Sequence, residues 1–167
     1  MAEIIKTFKE NIPPLRFIGK TYGEFGHWGE FWQNDWFGLL ENAMGGPEAI
    51  LKLWSNGGGY VGLEHWSPEE PFTYWLGMFV PAGTPVPDGF SHVDFFDVAL
   101  GTCWIYGKES EVHDTSGCRA AVEKAGMKIL QDASGGTWSF ENCLCPRYTT
   151  PDEQGNIILD YCFFVEK

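Results

Sequence analysis

The segment Thr137-Trp-Ser-Phe-Glu-Asn-Cys-Leu-Cys-Pro-Arg147 places one acidic side chain, Glu141, inside a run that otherwise reads as a buried strand. An ionised carboxylate in apolar surroundings is costly unless a partner compensates it. The strand itself offers no cation nearer than Arg147. The chain also holds eight Trp, thirteen Phe and six Tyr, and aromatic faces attract cations. These features together point to a flat, lipophilic, positively charged small molecule as the missing partner. The competing reading is that Glu141 faces solvent on an edge strand.

Two kinds of chemistry suit these residues. A binder would stack a planar ligand between aromatic rings and pair its charge with Glu141, each cation and ring contact contributing roughly 0.5–2 kcal/mol. The aromatic candidates are Trp75, Trp104, Tyr106, Trp138 and Tyr161, followed by Tyr74 and Trp66. Most Trp and Tyr of a domain this size belong to its core, so about half of this set is expected to serve packing alone. An enzyme would use Glu141 as a general base, its pKa raised by desolvation, to turn water on an electrophilic carbon. Glu64 interrupts a second aromatic strand and is the candidate helper, against the plainer reading of an exposed residue on an alternating strand. Tyr161 is the candidate donor to a leaving oxygen. A thiol site at Cys143 and Cys145 ranks last, because no histidine lies near in sequence and a strand cysteine is usually a small apolar filler.

Charge and cysteine usage bound the partners. With 23 acidic and 11 basic residues the formal charge is −12, which repels nucleic-acid phosphates and anionic membrane surfaces and concentrates cations. No cofactor is implied. Cys103, Cys118, Cys143, Cys145 and Cys162 are odd in number and scattered through apparent strands, which suits reduced thiols. The four histidines, His27, His65, His92 and His113, show no ligand spacing to them, so no metal site is expected. No apolar run approaches a membrane span and the N-terminus has no signal-peptide core, so a cytoplasmic protein is expected.

The elements that must position these residues follow from periodicity. Leu15–Tyr22 reads as a first strand after Pro13-Pro14. Apolar residues from Phe31 to Met44 recur at helical spacing, predicting a helix over 29–44 stopped by Gly45-Gly46, with a short second helix over 47–54. Strands over 60–66 and 72–80 form a predicted hairpin around Ser67-Pro-Glu-Glu-Pro71. After the Pro- and Gly-rich stretch 81–89 the order repeats: a strand over 97–106, a helix over 116–130, and a hairpin of 138–147 with 156–165. The expectation is one α+β domain over 1–167, built from strand-helix-strand-strand halves at about 15–81 and 92–166, with an antiparallel sheet, helices on one face and a central aromatic cleft.

Several fragments, in this order, resemble the GyrI-like small-molecule-binding domain family, which also forms the effector-binding half of AraC-type and MerR-type multidrug regulators. They are Phe17-Ile-Gly19, Tyr60-Val-Gly62, Phe72-Thr-Tyr-Trp-Leu-Gly77, Tyr106-Gly107, Phe140-Glu141, Pro146-Arg147 and Ile158-Leu-Asp-Tyr161, and they cover nearly the whole chain. The resemblance implies an aromatic pocket with a glutamate near its floor that neutralises cationic drugs, a position Glu141 matches. Many relatives carry Tyr two places further on; here Cys143 stands there, so one aromatic wall is missing and a carried-over ligand preference is in doubt. Stand-alone relatives either bind drugs without turnover or hydrolyse the cyclopropane ring of alkylating genotoxins, and both outcomes stay open for this chain. The residues before the first predicted strand are too few for a helix-turn-helix, so DNA binding by this chain is not expected.

Overall fold

Alternating side chains drive eight strands into one sheet, and the computed structural model describes all of the chain, Met1–Lys167. The strands are β1 (Glu3–Asn11), β2 (Leu15–Tyr22), β3 (Tyr60–Trp66), β4 (Thr73–Pro81), β5 (Ser91–Phe95), β6 (Val98–Gly107), β7 (Thr137–Asn142) and β8 (Ile157–Glu166). Helices α1 (Trp28–Gln33), α2 (Trp36–Met44) and α3 (Glu48–Leu51) lie between β2 and β3, and α4 (Cys118–Lys124) between β6 and β7. The sheet order is β1-β6-β8-β7-β3-β4-β2-β5, and every neighbouring pair is antiparallel. The fold is α+β, as the periodicity predicts.

Residues paired across antiparallel strands share a face, so the register sorts the side chains. One face carries Tyr60, Glu64, Tyr74, Ser139, Glu141, Tyr161 and Phe163. Helix α2 packs there, with Phe37 stacked on Tyr60 at 4.0 Å and 13°. So does α4, whose Cys118 carbonyl accepts from the Cys103 thiol at 3.7 Å. The opposite face is an aromatic core of Phe17, Phe79, Phe95, Phe140 and Phe164. Phe95 of β5 stacks on Phe164 of β8 at 3.8 Å although four strands separate them in the sheet. The sheet twist therefore accumulates into a curl that closes this face on itself.

Five sequence expectations change. The predicted helix over 29–44 is two helices, because Asn34 bonds back to the Glu30 carbonyl at 2.8 Å and Asp35 takes a left-handed φ of 51°; such side chains compete with the helical backbone. Helix α3 is one turn long and ends before Trp54. Helix α4 stops at Lys124, not Leu130: Gly126 at φ 87° closes a Schellman cap, with Met127 N–H donating to the Val122 carbonyl and Gly126 N–H to that of Glu123. Ile129 and Leu130 then run extended beside β8. Strand β7 ends at Asn142, and the Leu144 amide turns back to the Asn142 carbonyl. Finally, β1 and β5 are strands that periodicity did not reveal. Both are edges, and β1 is largely exposed and studded with Lys and Glu, the charges that keep edges from pairing further.

Gly19 and Gly77 face each other across β2 and β4. A Cβ at Gly77 would stand 2.0 Å from the Ile18 carbonyl oxygen, and backbone cannot swing aside. Gly77→Ala is therefore expected to lose about 1–3 kcal/mol of stability, read from the urea midpoint. Gly23→Ala, where a Cβ meets nothing within 4 Å, is the control and should be neutral to slightly stabilising.

Candidate functional site

Strands β3 and β7 pair only where Leu63–Trp66 meets Thr137–Phe140. Beyond those residues they part, and a cavity of about 330 Å³ opens on the helix-bearing face. Tyr60, Gly62 and Glu64 reach it from β3, Tyr74 from β4, and Glu141 and Cys143 from the other side. Gly62 has a steric reason to be glycine: a Cβ there would lie 1.9 Å from the Tyr74 hydroxyl, so its absence lets that ring lie across the strand. Phe25 and Trp28, from the β2–α1 connection, supply a further wall. Phe25 packs on Phe72 at 4.9 Å and on Tyr74 at 5.1 Å, and Phe72 in turn meets Trp66 at 4.3 Å. Two of these rings stay half in solvent, Phe25 at 57% and Trp66 at 46% exposure.

Glu64 and Glu141 stand on the same face of adjacent strands, since Glu64 is in register with Ser139. No lysine or arginine lines the cavity. Glu64 is 8% exposed. Burial pushes its carboxyl up from the ordinary 4.5 to about 7, the Tyr161 hydroxyl opposes that, and the nearby Glu141 charge adds to it. The Tyr161 hydroxyl lies 3.1 Å from Glu64 Oε2 and 2.9 Å from Ser139 Oγ. Its single proton serves the carboxylate when Ser139 donates back to the phenol oxygen. Burial, and then the Glu64 charge, raises the Tyr161 phenol above its ordinary value.

Glu141 is less enclosed, its side chain 34% exposed, and it has a partner the sequence did not suggest. His113 Nδ1 lies 3.0 and 3.1 Å from its two oxygens, and the Tyr148 hydroxyl is 3.2 Å from His113 Nε2. A neutral imidazole protonated on Nδ1 satisfies both contacts, donating to Glu141 and accepting from Tyr148. Arg147, the nearest cation along the chain, instead grips Asp160 through two bonds of 2.6 and 2.7 Å. Cys143 lines the cavity, but burial and then the Glu141 charge push its thiol up to about 11. A raised pKa disfavours the thiolate there, although the residue is exposed.

The structure thus gathers Glu141, Glu64, Tyr74, Trp66 and Cys143 around one cavity, with Tyr161 bonded to Glu64 behind it. It does not bring Trp75, Trp104, Tyr106 or Trp138 there. Register puts Trp75 and Trp138 on the opposite face, where they meet edge-on at 5.7 Å. Trp104 donates to Asp160 at 3.2 Å, and Tyr106 to Asp152 at 2.6 Å, on that face too. The carboxylate with the raised pKa is Glu64, the expected helper. Phe25, Trp28, Tyr60, His113 and Thr115 line the cavity and were not anticipated. Alternation could have found Tyr60, which shares the parity of Glu64; the loop residues carry no periodic signal. No three His, Cys, Asp or Glu side chains gather as a metal shell, and no helix is long and apolar enough to cross a membrane.

Fold and cavity together define an α+β domain with an acidic, aromatic-walled cleft, and solved structures share that fold. A Staphylococcus aureus MU50 protein, named provisionally as a bacterial transcription regulation protein, aligns over 97% of both chains with a TM-score of 0.52 at 14% identity. The protein SAV2435, solved bound to tetraphenylphosphonium, aligns over 97% of this chain and 94% of its own with a TM-score of 0.56 at 15% identity. No protein-family model matches the sequence, and no curated protein matches it significantly.

Glu64 also makes stability depend on pH. Its folded pKa of about 7 exceeds the ordinary 4.5, so between those values the folded state binds more protons and its stability falls as pH rises. Glu64→Gln removes this term. The variant should gain on the parent progressively from pH 4.5 to 7 and hold an advantage on the order of 3 kcal/mol above it, measured by urea unfolding at each pH.

Proposed function

We propose that this chain binds lipophilic aromatic cations in the cleft between β3 and β7, as a domain of the GyrI-like small-molecule-binding type. One observation carries the reading: two carboxylates, Glu64 and Glu141, face one aromatic-walled cavity that no lysine or arginine enters. A buried carboxylate beside a second, half-buried one is unfavourable by itself and favours an incoming cation. Flat rings held by Phe72 and Phe37 tolerate ligands of many shapes, while the carboxylates fix only the sign of charge. The lipophilic cation carried by SAV2435, which shares this fold, supports the same class of ligand. The pseudo-repeat of two halves fits the sheet order, in which β2-β4-β3 and β6-β8-β7 meet at the cleft. His113 orients Glu141 at the cleft through its Nδ1 contact.

A second reading rests on Glu64. A carboxyl held at about 7 beside a phenol is what general-base hydrolysis of a strained electrophile, such as a cyclopropane, requires. Mass spectrometry of the recovered ligand separates the two readings, since a binder returns it intact.

The test is a calorimetric titration with tetraphenylphosphonium, whose charge does not depend on pH. Saturable binding is expected, weakened about tenfold or more by Glu141→Gln and by Glu64→Gln. Affinity should rise with pH through about 7 as Glu64 ionises, and this rise should flatten in Glu64→Gln. Binding that neither variant alters would sink the proposal.

A further inference from the structure

Beside the cleft lies a second groove of about 370 Å³ that shares Glu64, Trp66 and Thr115 with it. Its remaining wall carries Arg119 of α4, with Ser116 and Ser139. Cleft and groove thus adjoin along Glu64, Trp66 and Thr115, and Arg119 is the one cationic side chain lining either.

Arg119 is unlike the other two arginines. Arg16 is held by Asp94 at 2.7 Å and Arg147 by Asp160 at 2.6 Å, whereas Arg119 forms no ion pair in a chain with 23 acids. One of its nitrogens donates to Thr137 Oγ1 at 2.9 Å, and its guanidinium rests 5.3 Å above the Phe163 ring. Those two contacts orient the group and leave its other N–H donors unused by the protein. Arg119 is exposed, and an oriented guanidinium with donors left over can receive a carboxylate or another oxyanion.

Register supplies the distance. Glu64, Ser139 and Phe163 are in line across β3, β7 and β8. Two strand spacings put the Phe163 backbone roughly 10 Å from that of Glu64, with the guanidinium over the Phe163 ring. We infer that the ligand is dipolar: an aromatic cation in the cleft, joined to a carboxylate or similar oxyanion that Arg119 binds in the adjoining groove. This inference rests on the cation-binding reading of the cleft and adds the chemistry of the ligand's other end. The net charge of −12 disfavours any anion in general. A preference for the acid over its ester thus cannot come from the overall field and must come from a local cation.

The probes are a dimethylaminostyryl-pyridinium dye whose N-alkyl chain ends in a carboxylate at that span, and the same dye as its methyl ester. Anisotropy titrations of the parent should show the acid bound about tenfold tighter than the ester at low salt. In Arg119→Gln that ratio should fall to about one, and Arg119→Lys should keep part of it. If Arg119→Gln does not fold, the lysine variant carries the comparison. Equal affinities in the parent, or a ratio that survives Arg119→Gln, would overturn the inference. Ester binding that Glu64→Gln and Glu141→Gln weaken, with no preference for the acid, would overturn it while leaving the cleft reading intact. Failure of the parent to bind either dye would overturn both.

Discussion

The organisation of this molecule turns on how little β3 and β7 share at the centre of the sheet. β3 runs for seven residues, yet only Leu63–Trp66 is paired to β7. The ladder of β6 with β8, by contrast, runs unbroken from Val98 to Gly107. A sheet that is continuous at one end and parted at the other must hold a cleft, and strand alternation decides what faces it. Glu64 sits one step inside the last pair, Leu63 with Phe140, and Glu141 just past that pair on the opposite strand. Moving the register by one residue would send both carboxylates into the phenylalanine core on the other face.

The cleft then sets the electrostatics. Glu64 is enclosed and bonded by Tyr161, and its carboxyl rests near neutrality in pH. Glu141 keeps partial contact with solvent and leans on His113, which Tyr148 supports from behind. Burying a carboxylate without a fixed cation is unfavourable for folding, and such terms concentrate where a fold serves a ligand. Elsewhere the acidic groups are settled: Asp160 is held by Arg147 and Trp104, Asp94 by Arg16, and Asp132 by His65. The contrast between these closed pairs and the open cleft distinguishes structural acids from the candidate site.

Aromatic residues divide the same way. The opposite face spends its rings on cohesion, with Phe79 meeting Phe17, Phe140 and Phe164 at 5.0, 5.0 and 6.1 Å. Of the five rings that line the cleft, Phe25 and Trp66 are about half exposed. Rings that remain in water in a well-packed domain leave apolar area for a ligand to cover. Cys143 lines the cavity beside Glu141 with a small side chain.

Local pattern in the sequence was enough to determine the α+β class, the two hairpins, the Gly45-Gly46 helix stop and the presence of carboxylates in apolar strands. Those features depend on period-2 and period-3.6 spacing and on turn residues, all of which are encoded within a few neighbours. Tertiary structure alone decided which face each strand turns to the cleft, so Trp75, Trp104, Tyr106 and Trp138, equally plausible by type, fell on the other side. It also decided that Glu64 is the enclosed acid and that His113, 28 residues away in sequence, is the partner of Glu141. Edge strands β1 and β5 escaped for a related reason: their pairing is satisfied by distant strands, and their side chains, left in water, need not alternate. Register and curl are long-range properties, set by contacts among strands far apart in the chain. No window of neighbouring residues contains them.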